Sequence, residues 1–321
     1  MAALVGLLGL VTLGCPRKDD SLILVGGATV DAATIDSDPL SVLPSGAIVI
    51  GQLDAQALFA TSLGYKVGEI AANLLPLGAE SNFVASRDVK RIYGATYTMQ
   101  GADFCALLQG TFDVEAIRRA AQRSASTPSG VPIVQTSYGG NVLYTVANLG
   151  FAILTPNTIL SGNETAMRRA LDRLRVGKLE HSLAPWMHEL FATQGAAFVL
   201  VGDLTGQGVV DAASSQLPFL AGLRLVRVLG NFRDPGTNVV GSLTYRDDAA
   251  ATQGAQVLIQ LPQMGGAILN LLAMFGFGPR IPALTVAQQG RDVAFSVSLE
   301  AATAALLLDY AVRATQPLKR R

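Results

Sequence analysis

The chain has 321 residues, with 24 basic and 24 acidic side chains and a formal net charge of zero. Half of the residues are hydrophobic and 15% are charged, which excludes an intrinsically disordered chain and leaves room for two modest domains or one large one. No basic excess argues for nucleic-acid binding, and Lys319-Arg320-Arg321 reads as a solvated end.

Met1 to Gly14 carries no charge, and Pro16, Arg17, Lys18, Asp19 and Asp20 close the run abruptly. It is shorter than the roughly 20 apolar residues a bilayer-spanning helix needs. It fits a secretory core of about 7–15 apolar residues followed by small ones. The end of the run, Thr12-Leu13-Gly14-Cys15, resembles a bacterial lipobox. That resemblance implies that residues 1–14 are a cleaved signal peptide and that Cys15 becomes an acylated N-terminus; the alternatives are an ordinary cleaved secretion signal and a buried N-terminal segment. The mature protein would then hang from a membrane of the cell envelope. By analogy with the enteric sorting rule, Pro16 rather than Asp after the cysteine favours the outer membrane, with the body facing the periplasm or the cell surface. One acyl chain holds only marginally, at about 0.8 kcal/mol per buried methylene, so two or three chains on Cys15 are the expected anchor.

Residues 15–45 read as a tether, because Asp31, Asp36, Asp38, Pro39, Pro44 and Gly46 punctuate them. Ser21 to Val30 either belongs to this tether or adds an edge strand. GAIVIGQL (46–53) reads as a strand and residues 54–75 as a helix. VKRIYGATYTM (89–99) reads as a strand with Tyr93, Ala95, Tyr97 and Met99 on one face, and DFCALLQGTF (103–112) pairs back on it. Asp113 is a good N-cap for DVEAIRRAAQR, whose Val114, Ile117 and Ala121 form an apolar stripe. Four strand-like runs then span VPIVQTSY, NVLYTVAN, FAILTPN and TILSGN. A helix follows with Met167, Leu171 and Leu174 as its stripe. SLAPWMHELFATQ (182–194) reads as a connecting helix.

The second half repeats this order. GAAFVLVGDL (195–204) matches GAIVIGQL, and TGQGVVDAASSQ reads as a helix. LRLVRVLGNFR and TNVVGSLTYR form a hairpin around Asp234-Pro235-Gly236. DDAAATQGAQVLIQL reads as a helix, residues 283–299 as a hairpin split at Gly290-Arg291, and EAATAALLLDYAVRAT as the closing helix. GTFDVEAIRRA stands opposite LTYRDDAAATQ, and FAILTPNTILSGNETAMRRALD opposite the last strand and helix. The expected fold class is α+β: two tandem related units of antiparallel sheet, over 46–178 and 195–316, joined through 179–194, with helices packed on one face. The two-unit pattern is similar to uncharacterised envelope lipoproteins of high-GC Gram-negative bacteria, a resemblance that covers roughly residues 45–310 and implies no activity.

Motifs that carry chemistry are scarce. GxSxG, HExxH and P-loop patterns are absent, so no enzyme class, cofactor or metal is expected. His181 and His188 lie seven apart, not at the i, i+4 spacing that chelates a metal on a helix. Gly206-Gln207-Gly208 lacks the third glycine of a dinucleotide turn, since Asp211 stands there. Asp54, Asp113 and the pair Asp247-Asp248 read as helix caps, and Asn163 in Asn163-Glu164-Thr165 as another. Cys105, without a nearby cation, reads as a small buried hydrophobe.

The exception is MGGAILNLLAMFGFGPRIP (264–282). Met264 to Gly278 is uncharged and too short to span a bilayer, so it is a core helix, lies on a membrane, or lines an apolar pocket. If it binds an apolar ligand, Met264, Ile268, Leu271, Leu272, Phe275 and Phe277 are the candidate contacts. The leading functional expectation is a non-enzymatic envelope lipoprotein that binds or scaffolds a partner protein. The first alternative is a carrier of a lipid or other apolar ligand, and the second an enzyme without a recognisable motif.

Overall fold

Short β-branched and aromatic runs bounded by turn residues become twelve strands in a computed structural model. It describes residues 30–65, 67, 79–98, 103–123, 126, 131–177, 179, 180, 183–207, 218–273 and 284–305. In chain order the strands are β1 (Val49–Asp54), β2 (Val89–Thr98), β3 (Asp103–Gly110), β4 (Ile133–Tyr138), β5 (Asn141–Val146), β6 (Leu149–Thr155) and β7 (Thr158–Asn163). After them come β8 (Phe198–Asp203), β9 (Leu223–Asn231), β10 (Gly236–Tyr245), β11 (Thr285–Gln289) and β12 (Asp292–Glu300). They form one sheet in the order β11-β12-β10-β9-β8-β1-β2-β3-β7-β6-β5-β4. Every neighbouring pair is antiparallel. The fold class is therefore α+β with a large antiparallel sheet. The two halves of the chain meet at its middle, where β1 pairs with β8 from Val49↔Gly202 to Leu53↔Phe198.

The helices that accompany the sheet include α1 (Ala32–Ser37), α2 (Ala55–Phe59), α3 (Ala85–Asp88), α4 (Val114–Arg123), α5 (Glu164–Val176), α6 (Pro185–Phe191) and α7 (Asp248–Ala273), and residues 64, 65, 67 and 301–305 are helical as well. Capping explains where the principal ones begin. The carboxylates of Asp54, Asp113 and Asp247 accept from the backbone N–H groups of Ala57, Ala116 and Ala250, at 2.9, 2.9 and 2.7 Å. Helix α5 ends at Gly177, whose φ of 70° lets its N–H turn back to the carbonyls of Arg173 and Leu174.

Helices cover both faces of the sheet, not one as expected. On the first face, α5 inserts Ala166, Met167, Ala170 and Leu171, all fully buried, against Tyr93, Cys105, Leu107 and Leu160. Helix α6 adds Met187 to the same cluster. On the second face, α4 packs Ile117 and Ala121 onto Tyr144, Phe151 and Ile159. At its other end α7 packs Ala251, Ala255 and Leu258 onto Leu223, Leu243, Tyr245 and Val293. The reason is visible in strands such as FAILT, which are apolar at consecutive positions. Ala152 and Leu154 point to the first face and Phe151 and Ile153 to the second, so each side needs cover.

The spacer expected through residue 45 is folded from Val30 onward. Ile35, Val42 and Leu43 are buried in the first-face cluster because the apolar side chains among its acidic and proline residues fall on one side of α1 and the following turn. The helix expected over 54–75 is interrupted: α2 covers 55–59, a turn follows, residues 64, 65 and 67 are helical again, and the stretch 68–78 lies outside the described residues. Residues 264–273 do not form a separate helix. Helix α7 runs from Asp248 to Ala273 through Pro262 and Gly265-Gly266, a length of about 39 Å for 26 residues. Among the described residues no helix is long and apolar enough to cross a membrane.

Candidate functional site

Between α4 and α7, the second face of the central strands is an open apolar trough of about 510 Å³. Among the described residues, its lining comes from the strands, and no charged side chain lines it. Strand register explains its shape. Leu200, Gly51, Gly94 and Ala106 lie in one row across β8, β1, β2 and β3; from Gly51 to Ala106 the row is of small residues, and the Leu200 side chain bounds it at β8. One wall is the row Val49, Thr96 and Phe104, and the other is Phe198, Leu53 and Ile92. A Cβ on Gly94 would have only the Cys105 carbonyl oxygen, at 3.9 Å, within 4 Å of it. On Gly230 and Gly241 of the same sheet, a Cβ would collide with the rings of Phe198 and Phe295. Described side chains fill the space above those two glycines, and none lies within 4 Å of a Cβ on Gly94.

Both edges of β1 and β2 are paired, to β8, β2 and β3, so the trough floor offers no free backbone row. The Cys105 side chain turns to the first face, where it is fully buried. Burial, with the negative charge of Asp103, pushes its thiol up to about 12, so it is an inert packing group as the sequence suggested. Among the described residues, the trough lining carries no carboxylate, amine, guanidinium or imidazole.

A second, polar depression of about 330 Å³ at the rim of the sheet includes Asp36, Lys90, Arg91 and Asn157. Its centre is committed to structure. Asp36 accepts from the hydroxyls of Thr155 and Thr158 at 2.5 and 2.7 Å and from the Asn157 amide at 2.9 Å, and Gln109 donates to its backbone carbonyl at 2.6 Å. Burial alone would raise the Asp36 pKa, but the three hydrogen bonds outweigh it and hold the carboxyl below 3.8. This carboxylate latches α1 to the β6–β7 turn.

The structure gives the other singled-out residues these places. Cys15, His181, Asp211, Phe275 and Phe277 lie outside the described residues, and so do the side chains of Met264, Ile268, Leu271 and Leu272, although α7 carries their backbone. Asn163 precedes α5, but its side chain does not cap the helix; Oδ1 accepts from the Phe104 N–H at 2.9 Å and ties α5 to the start of β3. Among the described residues no group of three or more His, Cys, Asp or Glu side chains could hold a metal ion. Sequence reasoning missed the trough. Its signal was present in GAIVIGQL and KRIYGATY, where a glycine interrupts each strand at a position with nothing to turn and no partner to approach.

No protein-family model matches the chain, and no curated protein sequence matches it. Solved structures do. The chain is similar in fold to TP0453. Crystal form III of TP0453 superposes with a TM-score of 0.52 at 14% identity, over 84% of this chain and 97% of TP0453. Crystal form I gives 0.51 at 16% identity, over 88% and 98%. At this identity TP0453 speaks for the architecture alone: a sheet and helices of this arrangement recur across nearly the whole of both chains.

Proposed function

We propose that the protein is a non-enzymatic binding module, held to an envelope membrane by an acylated Cys15 and built from two related α+β units that together form an apolar binding trough. The observation that carries the reading is the trough itself, whose lining comes from both halves of the chain and, among the described residues, holds no charge. Ligand sites are concave, mostly apolar and about 300–1,000 Å³, and this one falls in that range. The described lining carries no carboxylate, amine or imidazole to act as general acid or base, which favours binding over catalysis.

Strand order supports the two-unit part. Outward from the centre, the first half runs β1-β2-β3-β7-β6 and the second β8-β9-β10-β12-β11. Aligning the ends of GAIVIGQL and GAAFVLVGDL matches Ile50 with Val201, and these two residues sit opposite each other in the β1–β8 ladder. That is where a two-fold axis relating the units would pass. Phe112 with the cap Asp113, before α4, likewise stands against Tyr245 with the cap Asp247, before α7.

Two measurements test the reading. Labelled palmitate should enter the wild-type chain and not Cys15→Ala, and equal labelling would end the anchor. In the unacylated Cys15→Ala background, Nile red should bind with a blue-shifted emission. Leu200→Asp, at a trough position that is 39% exposed, should weaken that binding at least tenfold while changing stability by less than about 1 kcal/mol. Unchanged dye binding by Leu200→Asp would remove the trough as the binding surface.

A further inference from the structure

The geometry points to a single unbranched aliphatic chain as the trough's ligand, lying across the strands on the Gly51–Gly94–Ala106 floor with any polar head group left in water. This rests on the trough being the binding surface and adds what it selects.

Three observations narrow the chemistry. First, the floor strands are hydrogen-bonded along both edges, and no charged side chain among the described residues joins the lining. A peptide or nucleoside lying there would leave its own donors and acceptors unpaired, whereas an alkyl chain has none to lose. Second, the floor is narrow and straight. Its walls are the residues two positions away on either side, Val49 and Leu53 flanking Gly51, and Thr96 and Ile92 flanking Gly94. Wall Cα atoms are thus about 13 Å apart before their side chains fill in from both sides. The small-residue floor crosses three strands, which sets a length of about 10 Å between the outermost two before Leu200 closes the β8 end. A rod one methylene wide fits such a furrow, and a rigid fused-ring plate does not. Third, the floor is lined by residues the fold does not require to be small. Gly94 has ordinary strand φ, and open space stands where a side chain would go. A Cβ on Gly51 would make ordinary contact at 3.4 Å with the Leu200 side chain. A strand interior loses stability by carrying glycine, so these positions hold open a volume that the fold itself would gain by filling.

The test uses the full chain with Cys15→Ala and 11-(dansylamino)undecanoic acid as the fluorescent probe, displaced by saturated fatty acids of increasing length and by cholesterol. Linear acids should displace it, with affinity rising about two- to fourfold per methylene until the chain spans the furrow and then levelling. Cholesterol should compete at least tenfold more weakly than the best linear acid. Gly94→Leu and Ala106→Leu, which raise the floor, should each weaken probe binding at least tenfold, and Gly94→Leu should leave the unfolding temperature unchanged or higher. Equal competition by cholesterol, or affinity indifferent to chain length, would overturn the aliphatic assignment and leave the binding surface standing. So would full binding by Gly94→Leu in a protein that loses binding with Leu200→Asp. Failure of the wild-type chain to take up either this probe or Nile red would overturn both.

Discussion

Asp36 and Gly254 each decide a local arrangement against a simpler rule. Asp36 lies in a segment rich in acid and proline, yet its carboxylate gathers three side-chain donors from the β6–β7 turn. Because its folded pKa is lowered, its contribution to stability is full above 3.8 and fades as pH falls below that value toward the depressed one. Asp36→Asn should cost about 1–3 kcal/mol at pH 7. It should also flatten the acid side of the stability curve, read as urea midpoints from pH 7 to 3. A variant curve parallel to the wild type down to pH 3 would contradict the latch. Gly254 sits inside α7, where Ala would ordinarily stabilise a helix by about 1 kcal/mol. Here a Cβ would come within 2.3 Å of the Tyr245 ring and hydroxyl. That ring is 1% exposed and its hydroxyl donates to the Phe219 carbonyl at 2.8 Å, so it cannot swing aside. Gly254→Ala should therefore destabilise by about 1–3 kcal/mol, and a raised unfolding temperature would show that α7 and Tyr245 do not meet this closely.

At the scale of elements, legibility followed the strength of the local signal. The twelve strands and the helices α4 and α5 were readable because alternating or continuous apolar runs, caps and turn residues agreed along them. The residues sharing a face were readable for the same reason: Tyr93, Ala95 and Tyr97 are all buried on one side of β2, and Met167 and Leu171 on one side of α5. Three things were not readable. The first was the burial of Ile35, Val42 and Leu43, because only tertiary contact with α5 and the sheet distinguishes a docked segment from a spacer of the same composition. The second was the continuity of α7, where Pro262 and two glycines are local stop signals that a 26-residue helix overrides. The third was the trough. Its floor, with Leu200 at one end, is assembled from β8, β1, β2 and β3, elements up to about 150 residues apart, and no window of sequence contains it.

On the scale of the whole molecule, the junction of β1 with β8 makes the two halves mechanically one. Five residue pairs join them, Ile50 and Val201 lie in the same buried cluster, and that cluster extends from α5 in the first half to Leu229 on β9 in the second. The one tryptophan reports on this seam: Trp186 on α6 packs against the cluster, and the Arg227 guanidinium of β9 lies 4.7 Å from its ring centroid. Leu171 is fully buried under α5, in the first half only. Leu171→Ala should cost about 2–5 kcal/mol through the cavity it leaves. A sheet that is continuous across the seam passes that loss to the second half, so tryptophan fluorescence and far-ultraviolet circular dichroism should fall in one coincident transition at a lower urea midpoint. If instead the helical signal split into an early step sensitive to Leu171→Ala and a later step indifferent to it, the halves would be unfolding as independent domains. The trough, whose lining needs strands from both, would then be lost after the first step, with half of the structure still in place.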